Sequence, residues 1–210
     1  MGRVPPDVHI FWDNSNIFVP AQYVARHRDG TLQQSRVRIQ FDHLYDLARA
    51  GRSVASAICV GSVPPELEAV WARLRAVGVE VELYERGADL GREQGVDQCL
   101  QVHMLRRTID EPPGIAVLLT GDGAGYDDGV GFHADLERMS TSGWGIEVLS
   151  WDSACRRSLK EWARDAGAYV RLEDFYSSVT FIEGGRRSVP LSLRQRRVAQ
   201  PDSAVGAPAS

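Results

Sequence analysis

The chain has 210 residues, 43% hydrophobic and 25% charged, which fits one good-sized soluble domain with a short tail and excludes a disordered or fibrous protein. A net charge of −4 lacks the basic excess usual in nucleic-acid binders, although an aspartate-rich site lowers that figure by itself. Cys59, Cys99 and Cys155 are dispersed without metal-ligand spacing, the first residues show no basic-then-apolar leader, and no apolar run reaches the ~18 residues of a membrane span. Together these features predict a cytoplasmic protein with reduced thiols and no membrane partner.

In chain order the pattern alternates between strand and helix. Val8–Trp12 reads as a buried strand, and residues 17–38 read as polar and irregular, with a turn at Asp29-Gly30. Phe41, Leu44, Tyr45, Leu47 and Ala48 recur at helical spacing up to Gly51, and Val54–Val60 is the next strand. Pro64-Pro65 opens a helix with Leu67, Val70, Trp71, Leu74 and Val77 on its apolar face and Gly78 as its stop. Val79–Tyr84 alternates apolar and acidic residues, as a less buried strand does; Gly87–Gly95 reads as a charged flexible loop and Val96–Ile109 as a helix. Ile115–Thr120 is the most apolar strand, followed by a helix over Ala134–Ser142, a strand over Ile146–Trp151, a helix over Ser158–Ala166 and a short strand over Tyr169–Leu172.

This alternation predicts an α/β fold: a three-layer α/β/α, Rossmann-like domain around a central, mainly parallel sheet, spanning residues 7–176. Residues 177–185 read as a short extension in which Val179–Ile182 is a candidate strand. Residues 186–210 read as a flexible tail, basic at first and then rich in Pro, Ala and Ser.

Acids stand where strands run out. Asp13-Asn14-Ser15-Asn16 follows the first strand, and Gly121-Asp122-Gly123 follows Ile115–Thr120. In open parallel sheets the functional crevice lies outside the carboxyl ends of the strands. Asp97 adds an acid at a predicted helix start, and Asp127-Asp128 lie in the glycine-rich stretch after Asp122. Singly, each has an ordinary explanation as an Asx turn or a helix-terminal acid. Together they point to a site, because like charges repel and gather only around a hard cation or to move protons. Mg²⁺ or Mn²⁺ takes oxygen ligands and activates water against a phosphodiester. Asn16 and Ser15 are neutral groups able to orient a phosphate or a metal-bound water. Nucleotide-binding loops of the G-x-x-x-x-G-K-[ST] or G-x-G-x-x-G kind are absent, and Ser15 stands where a haloacid-dehalogenase-type phosphatase needs an Asp.

HIFWDNSNI at 9–17, REQGVDQCLQVHML at 92–105 and VLLTGDG at 117–123, together with the later GWGIEVLSW and LKEWARDAGAYVRLEDFY, carry a resemblance. Over roughly residues 7–176 the chain resembles the NYN family of PIN-like nucleases, close to its LabA-type group. The resemblance implies a PIN-like fold and an Mg²⁺- or Mn²⁺-dependent ribonuclease acting on single-stranded or structured RNA. By position it implies Asp13, Asn16, Asp97 and Asp122 as site residues, with Asp13, Asp97 and Asp122 on the metal. Two positions depart from the family pattern. Ala124 stands where a further Asp is common, with an insertion before Phe132, so Asp128 (or Asp127) is the acid available from that loop to join the metal ligands. His103 stands where another Asp is common and, six residues from Asp97, lies well off its helix face, which reads as a packed or surface histidine. Arg86 and Arg92, with the stretch Arg26–Arg38, are candidates to hold the RNA backbone, and Tyr23, Tyr84 and Tyr126 to stack on bases. The alternative reading is a degenerate NYN domain that binds RNA or a protein without cutting; a homo-oligomer or a protein partner stays open.

Overall fold

A computed structural model describes residues 6–63, 68–85, 91–120 and 129–199. Its elements in chain order are β1 (Val8–Asp13), α1 (Asn14–Arg28), a 3-10 turn (Thr31–Arg36), β2 (Val37–Ile39), α2 (Phe41–Arg49), β3 (Val54–Val63), α3 (Glu68–Ala76) and β4 (Glu80–Glu85). Then follow α4 (Gly91–Asp110), β5 (Ile115–Leu119), α5 (Gly131–Thr141), β6 (Gly145–Ser150), α6 (Arg157–Ala166), β7 (Gly167–Arg171), a 3-10 turn (Leu172–Phe175), α7 (Tyr176–Val179) and β8 (Thr180–Ile182).

β1 lies near the middle of a six-stranded sheet of order β4-β3-β1-β5-β6-β7, and every pairing in it is parallel. β1, β5 and β6 are buried along their whole length, which explains their nearly unbroken apolar sequences. β4 is an edge strand, and its alternation of Val and Glu fits half burial there. Val8, Ile10 and Trp12 face a core shared with α1, α2 and α3; Phe11 faces a second core with Leu100 and Met104 of α4, Leu136 of α5 and Leu159 of α6. The predicted three layers follow from this division. Trp12 stacks on Phe41 at 5.5 Å between ring centres, and Phe41 meets Trp71 edge-on at 6.1 Å, joining β1, α2 and α3.

Three expectations need correction. Residues 17–28 are not irregular but belong to α1. Ile17, Ala21, Val24 and Ala25 are buried at helical spacing, and this packing outweighs the helix-breaking tendency of Pro20 in the interior. The charged stretch before residue 96 is helical from Gly91, while residues 86–90 lie outside the described ones. The third correction is the tail. The strand at Val179–Ile182 exists as β8, antiparallel to β2. From there the chain stays on the body through residue 199. The Arg186 guanidinium lies 4.8 Å from the Tyr176 ring centre, which Arg28 also approaches to 5.1 Å, and donates to Thr180 O and Oγ1 at 2.9 Å. Arg196 is buried, pairs with Glu147 of β6 and donates from Nε to Leu47 O at 2.9 Å. Residues 200–210 lie outside the described ones.

Candidate functional site

The topology makes the carboxyl ends of β1 and β5 the place where the chain reverses direction across the sheet. β1, β3 and β4 build one side of it, and α4 then crosses back to β5 on the other. Crevices in doubly wound sheets form at such a point. Asp13 ends β1 there and is 1% exposed. It is also the N-cap of α1: Oδ1 accepts the Asn16 backbone N–H at 3.0 Å, and Oδ2 accepts from Asn16 Nδ2 at 2.7 Å. Asn16 therefore fixes the carboxylate from two directions, a positioning role that the D-x-x-N spacing makes possible.

Side chains alternate along a strand, so Asp13 shares the face of Phe11, the one α4 covers. On α4, Asp97 precedes the fully buried Leu100 by three residues and Met104 by seven, which sets it on the sheet-facing side of the helix. Asp97 is half-buried. Across the sheet, Trp12 pairs with Leu119, and continuing the register sets Thr120 beside Asp13. Thr120 is fully buried, and its Oγ1 has no hydrogen-bond partner among the described residues; the same holds for the buried Oδ1 of Asn14, whose side chain would lie 3.3 Å from a Cβ on Gly61 of β3. Neither orphan oxygen was singled out by the sequence reading, and no residue pattern marks them. Their signal is burial, which only the fold supplies. The charge of Asp13 is felt across β3, where the Cys59 thiol is pushed well above its ordinary value, by burial first and by Asp13 second.

Ser15 is half-buried on the first turn of α1. Asp122, Asp128, Arg86 and Tyr126 lie outside the described residues, and Arg92 is known only as a backbone position on α4. Arg26 and Arg28 do not border Asp13: α1 starts directly after Asp13 and runs 15 residues, which carries them about 20 Å away. Tyr23 is exposed on the same helix. A cleft lined by Arg164, Arg171 and Arg197 lies at the β7 edge, not beside β1.

His103 faces away from Asp97 as expected. Its Nε2 meets Glu82 Oε1 of β4 at 2.9 Å, and Cys99 Sγ donates to Glu82 Oε2 at 2.8 Å. The Cys99 bond, ahead of that from His103, draws the Glu82 carboxyl below its ordinary range. Burial and then the Glu82 hydrogen bond raise the Cys99 thiol.

The donors that the strand register and the α4 spacing set on one side of the sheet at the end of β1 are hard oxygens: the Asp13 and Asp97 carboxylates and the Thr120 hydroxyl. That set fits Mg²⁺ or Mn²⁺ rather than a soft cation. Among the described residues, no helix is long and apolar enough to cross a membrane. No curated protein matches the chain. The NYN domain model, however, matches residues 7–167, from the strand that delivers Asp13 to the start of β7. With this match over most of its length and a parallel α/β/α sheet, the chain belongs to the NYN domain family of PIN-like nucleases.

Proposed function

We propose that this protein is an endoribonuclease that hydrolyses RNA phosphodiester bonds at its aspartate cluster with Mg²⁺ or Mn²⁺. The observation that carries the reading is Asp13: a carboxylate at the end of a central strand, 1% exposed, clamped by Asn16 and set on the face that α4 covers. Burying a carboxylate costs several kcal/mol unless its charge is used, and a helix cap alone is served as well by Asn. Membership of a PIN-like nuclease family supports the same chemistry.

Asp13 and Asp97, with Asp122 and Asp128 from the stretch that follows β5 in sequence, would hold the cation. When bound it supplies an activated water and neutralises charge on the scissile phosphate. Asn16 holds Asp13 in one orientation, so the carboxylate needs no reorganisation when substrate arrives. The Thr120 hydroxyl, without a hydrogen-bond partner among the described residues, would hydrogen-bond a water or a phosphate oxygen on the same side of the sheet. Ser15, Arg86 and Arg92 are assigned to the RNA backbone, Arg through paired N–H donors.

The test is cleavage of labelled single-stranded RNA and DNA with Mg²⁺, Mn²⁺ or EDTA, with Asp13→Asn beside the wild type. Expected is metal-dependent cutting of RNA, lost by at least about 100-fold in the variant. No cutting by the folded protein with either metal would overturn the reading and leave the non-cleaving binding module.

A further inference from the structure

A second set of ligating side chains converges at the outer edge of the sheet, away from the aspartates. Cys99 and His103 are four residues apart on α4 and project from one strip of its surface. Cys99 is two residues from Asp97, about 200° around the helix, so the strip is not the one that carries Asp97. Glu82 reaches the strip from edge strand β4 and binds both side chains through separate oxygens. One ligand atom from each residue lies within 4.8 Å of the other two. The His103 and Glu82 side chains are 16% and 34% exposed, which gives a cation a path from solvent, and three protein ligands leave the fourth tetrahedral position to a water.

The donor set decides the ion. Thiol sulfur, imidazole nitrogen and one carboxylate are poor partners for Mg²⁺, which prefers oxygen alone, and good ones for Zn²⁺. Bonds of about 2.0–2.3 Å place the ligands of a tetrahedral Zn²⁺ roughly 3.3–3.8 Å apart. The hydrogen-bonded separations of 2.8 and 2.9 Å and the outer limit of 4.8 Å bracket that range, so small side-chain rotations suffice. Two hydrogens now lie where the ion would bind. On binding, the thiol proton leaves to solvent, and the imidazole gives up its Nε2 proton to solvent and carries its one remaining ring proton on Nδ1, so that Nε2 is offered to the ion.

We propose that Glu82, Cys99 and His103 form a Zn²⁺ site with one open position, which clamps edge strand β4 to α4 independently of the aspartate cluster. A ligand that binds only the folded chain stabilises it by mass action, so loading this site raises the melting temperature.

The full chain is titrated calorimetrically with Zn²⁺ in excess Mg²⁺, and separately with Co²⁺ while absorbance is followed. Expected are one Zn²⁺ per chain that Mg²⁺ does not displace, a thiolate-to-cobalt charge-transfer band and a higher melting temperature. Cys99→Ser abolishes the band, and Cys99→Ser and His103→Gln each weaken Zn²⁺ binding by at least about tenfold, while Asp13→Asn binds Zn²⁺ as the wild type does. Absence of Zn²⁺ uptake, wild-type affinity in either site variant, or loss of uptake in Asp13→Asn overturns the proposal. If one site variant does not fold, the other decides.

Discussion

Asp13 has two duties, and substitutions separate them. Asn is as good an N-cap as Asp, so Asp13→Asn is expected to unfold close to wild type while losing cleavage. Asp13→Ala loses the cap as well, and denaturant unfolding is expected to show a further cost of about 1 kcal/mol. A large loss of stability in Asp13→Asn would make the carboxylate structural. Asn16→Ala removes the 2.7 Å side-chain bond to Oδ2 but leaves the backbone bond to Oδ1. It should lower the turnover rate by about 10–100-fold, as loss of a group that orients a metal ligand does, with little change in melting temperature. The residues of this cap were legible, because an Asp at a strand end with Asn three positions later is a local pattern. The orphan oxygens of Thr120 and Asn14 were not, since a hydroxyl or amide gains that meaning only when buried without a partner.

At the scale of elements, the sheet strands were readable from their apolar runs, whereas α1 was masked by Pro20 and by the many arginines near its end. That helix matters for function because it removes Arg26 and Arg28 from the strand ends, and Arg28 instead stacks on Tyr176. The opposite lesson comes from β6. Glu147 is an acid in the middle of a fully buried strand, a local anomaly. Two distant arginines explain it: Arg52 binds it with both Nη atoms at 2.6 and 2.8 Å, and Arg196 closes from the C-terminal segment, where Ala199 N–H also donates at 2.8 Å. Glu147→Ala leaves two nearly buried guanidinium groups without a counter-charge and is expected to cost about 3–5 kcal/mol in denaturant unfolding. The same substitution should release residues 186–199 to proteolysis, and a tail that stays protected would show that the Arg186–Tyr176 contact suffices. Gly167 opens β7 with its position against Ile146 O so close that an added Cβ would stand 2.0 Å from that oxygen. Gly167→Ala must therefore push β7 off β6, and its melting temperature should fall well below that of a surface Gly→Ala control.

For the molecule as a whole, two buried histidines tie stability to pH. His9 is held below its ordinary 6.5, by burial first and by the charge of Arg107 second; its Nδ1 meets Ser56 Oγ at 2.9 Å and its ring packs edge-on against Trp144. Burial lowers His133 too, against the opposing pull of Glu137. A lowered folded value means that the unfolded chain takes up the proton first. The contribution is thus fully present above about pH 6.5 and is lost as the pH falls through the folded values. Unfolding free energies measured between neutral pH and about pH 5 should decline less steeply in His9→Gln than in the wild type; equal slopes would remove His9 from the account. The alternation of strands and helices, the parallel sheet they imply and the acids at strand ends were all determined by the sequence alone, because each depends on neighbours within one or two turns of chain. The tertiary structure alone decided that Asp13 and Asp97 share the face between sheet and α4, that Glu82 meets Cys99 and His103, and that Arg196 returns to Glu147. Those pairings join residues from 17 to 84 positions apart. Only strand order and helix packing set such distances, and no local pattern of residue types encodes them.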